Sequence, residues 1–139
     1  MAKIQGLAVP YLSDSEDMGG FIESFELGAI ELADDVRLLY QHEFTELLGR
    51  TSSGTLEIEL RADGVYFSAD LPNEFRGESV AELVGRGDLR GCSFAMRVLE
   101  QNWDYSADPF RRTIRRAVIG EISIVCSPAY PATWVEVVE

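Results

Sequence analysis

The sequence predicts a mostly β domain with short helices, its strands antiparallel. Three observations predict it. The apolar segments are short and broken by Gly, Pro and Asp, as strands are. The stretch TLEIELRADGVYFSADLP alternates apolar and polar residues on both sides of Asp63-Gly64, a favoured hairpin dipeptide. Only GESVAELVGRG reads as a helix. A closed or nearly closed barrel is one way for such strands to hide their edges.

The elements follow in order. IQGLAVPY is a first strand ending at Pro10, and SDSEDMGG is a polar loop. FIESFELGAI breaks at Gly28, and DDVRLLYQHE carries Val36, Leu38, Leu39 and Tyr40 up to His42. In the hairpin, Ile58 and Leu60 alternate with Glu57, Glu59 and Arg61; Val65, Phe67, Ala69 and Leu71 alternate with Tyr66, Ser68 and Asp70. The helix is expected to start on a capping box, Ser79 and Glu82, and to end at Gly85 and Gly87. GCSFAMRVLEQNW is a further strand, and RRTIRRAVIGEISIVCSPAYP holds another, closed by Pro128 and Pro131.

At 139 residues the chain is one domain's worth, long enough to bury a core without staples. We take residues 1–139 as a single domain. Its N-terminus has no basic segment followed by a long apolar stretch, so no secretory signal or membrane span is expected. A formal net charge of -12 repels phosphate backbones and argues against nucleic-acid binding. One histidine cannot build a usual zinc site, and no metal or other cofactor is implied. Both cysteines, Cys92 and Cys126, sit in apolar strand-like runs and are expected to be reduced core residues. The basic residues gather in FRRTIRR, read as one basic loop on an acidic body.

The chemistry centres on RGCSFAMRV. Alternation puts Cys92, Phe94, Met96 and Val98 on one apolar face and turns Ser93 to the other. A thiol buried among apolar groups is inert, so Ser93 is the candidate nucleophile. A serine hydroxyl needs a base, and His42 is the only histidine. On residue chemistry alone a lone histidine such as His42 is more often a surface or structural residue than a base. Glu121 stands among apolar residues in a strand, where alternation sets it with Ser123 opposite Val118, Ile122 and Ile124. It fits either a solvated acid or a group that orients the histidine.

Taken together, LLYQHEFTELLG, GVYFSADLP, LRGCSFAM and IGEISIVCSPAYP resemble the prohead serine proteases of tailed bacteriophages. The likeness rests on His42 and Gly49, then Gly91-Cys92-Ser93-Phe94, then Glu121-Ile122-Ser123-Ile124-Val125 with Pro128-Ala129-Tyr130. It implies a self-processing endopeptidase acting inside the immature capsid in the bacterial host cytoplasm. Its partners would be scaffold or the scaffolding segment of the major capsid protein, with a homodimer or higher oligomer as a further expectation. It implies the assemblin fold of herpesvirus maturational proteases, a β barrel flanked by helices. It implies a triad of Ser93, His42 and Glu121. By analogy with the assemblin arginine loop, Arg111, Arg112, Arg115 and Arg116 become oxyanion-hole candidates; a solvated basic turn is the alternative. The family commonly adds a charged C-terminal extension, which is not expected here. A catalytically inactive assembly module on the same fold and a Cys92 thiol protease are the rival readings.

Overall fold

The computed structural model describes residues 2–139. Its strands are β1 (Lys3–Pro10), β2 (Phe21–Phe25), β3 (Ile30–Tyr40), β4 (Glu43–Arg50), β5 (Leu56–Arg61), β6 (Gly64–Asp70), β7 (Gly91–Asp104), β8 (Phe110–Val125) and β9 (Trp134–Val138). A single α-helix, α1, spans Phe75–Arg86. The mostly β prediction holds.

The antiparallel barrel does not. The strands form two open sheets, one in the order β5-β6-β1-β9 and one of β2, β3, β4, β7 and β8. The second is built on the 16-residue strand β8. Strand β7 runs antiparallel along it, from Gly91 opposite Val125 to Asp104 opposite Arg111. Its other edge takes β2 against residues 110–114 and β3 against residues 117–124, both parallel. Alternation reveals which residues share a face but not which way a partner strand runs. The sheet stays open because β7 and β4 pair only on one edge each. One helix, not a flanking ring, accompanies the sheets.

Both sheets bury their inner faces in one apolar cluster, with Ile4 and Phe67 from the first and Leu38, Ile114, Ile122 and Ile124 from the second. Three local expectations also change. The helix begins at Phe75 after Glu74, so Ser79 lies inside it and forms no cap; Gly87, at a left-handed φ of 83°, ends it. FRRTIRR is no loop but the first half of β8, because Ile114 fills a fully buried site between flanking arginines. Gly64 opens β6 rather than the turn. A Cβ there would lie 2.4 Å from the Val9 carbonyl oxygen, so glycine permits β1 and β6 to close up.

Candidate active site

Gly91-Cys92-Ser93-Phe94 opens β7. Cys92 points inward and is 1% exposed. Burial pushes its thiol pKa far up, which keeps it protonated and removes it as a nucleophile. Cys126 corrects the expectation of two core cysteines. It lies one residue past β8 and is exposed, with its thiol pKa lowered chiefly by the Gln41 side chain, whose amide donates to Sγ at 3.4 Å.

Ser93 is paired with Ser123 across β7 and β8, and Ser123 with Leu39 on β3. Two pairs along, Ala95 faces Glu121, and Glu121 faces Arg37. Residues directly opposite in a sheet share a face, and so do residues two apart. Ser93, Ser123 and Glu121 therefore stand on one face, away from Cys92 and Phe94. Beyond Glu121 the expected alternation fails. The register slips between Ala95 and Met96, so that Gly120 forms a bulge, Ile119 enters the core and Val118 joins the outer face beside Glu121.

His42 reaches this face from the turn between β3 and β4. Gln41 and His42 both adopt left-handed backbone, at φ 52° and 60°. Such geometry costs a non-glycine residue about 1–3 kcal/mol and needs fixing by its surroundings. The fixing groups come from β8. The Gln41 N–H donates to the Ile124 carbonyl at 3.0 Å, and the His42 N–H donates to Ser123 Oγ at 3.0 Å. The ring then meets β8 as well: His42 Nδ1 contacts Glu121 Oε2. Ser123 Oγ–H donates to the same Glu121 oxygen at 3.1 Å. Ser123 is wholly buried and Glu121 nearly so, while the His42 side chain is 43% exposed. Among the described residues, the hydrogen bonds of His42 run to Ser123 and Glu121, and none runs to Ser93. In an unliganded enzyme such a bond is often long and tightens on substrate binding.

A model of the caudovirus prohead serine protease family matches residues 1–139. The chain belongs to this family. No curated protein and no solved structure matches it. The family is one of serine proteases.

The sequence marks Ser123 only as a neighbour of Glu121. A small polar residue within an apolar strand was the available signal, since a fully buried hydroxyl needs partners. Glu23 was missed entirely. It is 1% exposed, takes the Tyr130 hydroxyl at 2.6 Å and pairs with Arg112 Nη1 at 3.1 Å. This group borders a cavity of about 130 Å³ that Ser93, Phe94, Met96, Ala129 and Tyr130 also line. Of the four arginines considered for an oxyanion hole, Arg112 alone lines that cavity. Arg111 pairs with Asp14, Arg115 with Glu26, and Arg116 with Glu31 and Glu100.

Gly91 is required by packing. A Cβ on it would lie 2.4 Å from Pro128 Cγ and 2.8 Å from Pro128 Cβ. The prolyl ring is stiff and cannot yield. Gly91→Ala should therefore push the Pro128-Ala129-Tyr130 segment away from Ser93 and cost about 1–3 kcal/mol, as overpacking does. A lower melting temperature in a thermal unfolding scan checks this; an unchanged one refutes it.

Proposed function

We propose that this protein is a prohead maturation endopeptidase that uses Ser93, His42 and Glu121. The contact between His42 Nδ1 and Glu121 carries the reading. It engages Nδ1, so the base in this scheme is Nε2. Family membership supports the reaction class.

The chemistry runs through an acyl-enzyme. Nε2 takes the proton of Ser93 as Oγ bonds to the scissile carbonyl carbon. The imidazolium, balanced by Glu121, returns that proton to the leaving amine as the C–N bond breaks. Water then attacks the ester, gives a proton to Nε2, and regenerates Ser93 with release of the acid. The candidates for stabilising the oxyanion are Arg111, Arg112, Arg115 and Arg116, each of which is paired with a carboxylate and would have to exchange it for the substrate. The substrates are scaffold protein or the scaffolding segment of the major capsid protein, followed by the protease itself. The site of action is the interior of the immature capsid in the bacterial cytoplasm, and the protease works there as a homodimer or higher oligomer. No described helix is long and apolar enough to cross a membrane.

A fluorophosphonate tests the assignment directly, since Ser93 Oγ would displace fluoride and keep the phosphonyl group. The expected result is a single label on Ser93, lost in His42→Ala. Labelling elsewhere, or none in protein that processes capsid substrate, overturns it.

Ser123 acts as a positioning residue in this scheme. Ser123→Ala removes the acceptor of the His42 N–H and a donor to Glu121, two bonds worth about 0.5–3 kcal/mol each. We expect kcat to fall about tenfold or more with KM little changed, a tenfold loss being about 1.4 kcal/mol. A parallel rise in KM, or full activity, would argue against positioning.

A further inference from the structure

Most arginines of this acidic chain meet a carboxylate, from Arg50 with Asp35 to Arg116 with Glu31. Among the described residues Arg37, Arg90 and Arg97 meet none, and two of the three, Arg37 and Arg97, line one groove of about 390 Å³ on the outer face of β3, β8 and β7. Phe44, 71% exposed, and Val118 supply its apolar wall, and Ala95 its floor. The Arg37 guanidinium lies 5.8 Å from the Phe44 ring centroid, which holds it over the groove without neutralising it. The one acid in the lining is Glu121, whose carboxylate is already engaged by His42 and Ser123.

We propose that this groove binds an acidic side chain of the substrate polypeptide, flanked by an apolar one, and so selects the cleavage site. The proposal rests on Ser93 being the nucleophile. Charge complementarity names the occupant. Two uncompensated guanidinium groups sharing one groove are a local exception in a protein of net charge -12, and they suit a carboxylate in a partly apolar setting. Position follows from strand geometry. Arg97 is four residues from Ser93 along β7, about 14 Å at about 3.4 Å per residue. Arg37 is two residues along and two strands across, at about 4.8 Å per strand, which gives a similar distance. An extended substrate covers that span in three to four residues. The selected Asp or Glu therefore lies three or four positions from the scissile bond. A nucleic acid is disfavoured by the surrounding negative charge.

A library of internally quenched peptides, with Glu or Gln fixed at each position in turn, reads this out on the full chain. The expected result is a preference of about tenfold or more for Glu at one position, three or four residues from the cut, expressed mainly in KM. Arg37→Ala and Arg97→Ala should each weaken it, and Arg97→Glu should reverse it toward Lys. Arg61→Ala, on β5 in the other sheet, should leave it intact. Affinity selection of the same peptides on immobilised Ser93→Ala protein gives the same comparison without turnover. A flat profile, a preference that survives Arg37→Ala/Arg97→Ala, or an Arg97→Glu variant that changes only the oligomeric state overturns the proposal. Fluorophosphonate labelling separates the two failures: labelled Ser93 with a flat profile removes the groove alone, while unlabelled Ser93 removes the nucleophile assignment and leaves the groove to the affinity selection.

Discussion

Ser93→Ala should remove capsid processing while leaving the protein folded. The expected loss in kcat is on the order of 10⁶, the scale seen when a nucleophile that acts with a base is deleted. The fold should hardly notice. Ser93 is partly exposed and stands on the face away from the core, so its replacement should change stability by no more than about 0.5 kcal/mol. The neighbouring change gives the opposite pattern. Cys92→Ala leaves the nucleophile in place but deletes a buried sulfur beside Thr133 and Trp134, and should lower stability with activity retained. Cleavage of a capsid or scaffold substrate, followed by gel electrophoresis beside thermal scans of both variants, checks the pair. Processing by Ser93→Ala, or its loss in folded Cys92→Ala, would return the reaction to the thiol.

The largest stability effect is expected at Glu23→Ala. This carboxylate is buried between the Tyr130 hydroxyl and the Arg112 guanidinium. Burial, then the bond to Glu23, hold the Tyr130 hydroxyl pKa well above its ordinary value, so it remains a donor. Removing the acid leaves a buried hydroxyl without an acceptor and a largely buried cation without a counter-charge. Breaking such a pair from one side costs about 3–5 kcal/mol. Arg112 keeps its bond to Gln101 and is 20% exposed, which points to the lower end, about 3 kcal/mol. For a chain of this size that is a drop of about 10 °C in melting temperature. Glu23→Gln preserves an acceptor for Tyr130 and should lose less. Equal melting temperatures for wild type and Glu23→Ala would show that the cluster is not structural.

What could be read beforehand follows a physical boundary. The facing of Cys92 and Ser93 was legible because alternation is a property of one strand. The direction of β2 and β3 was not, since the same pattern suits parallel and antiparallel partners. Alternation misled at Val118, where the bulge at Gly120 shifts every residue on one side of it. The left-handed turn at Gln41 and His42 left no trace, because neither residue is a glycine that would have announced it. Glu23 looked like any solvated acid in FIESF. Its burial depends on Tyr130, 107 positions away, and no local pattern carries that.

The parallel pairing of β3 with β8 has a consequence for how the protein is born. His42 is synthesised well before residues 117–125, yet those residues hold the His42 turn, supply Glu121 and pair with the Ser93 end of β7. A growing chain therefore contains the nucleophile and the base without the strand that joins them. Pairings this distant in sequence form late. On the proposed triad, activity would then await β8, the strand that supplies Glu121 and the acceptors that hold the His42 turn.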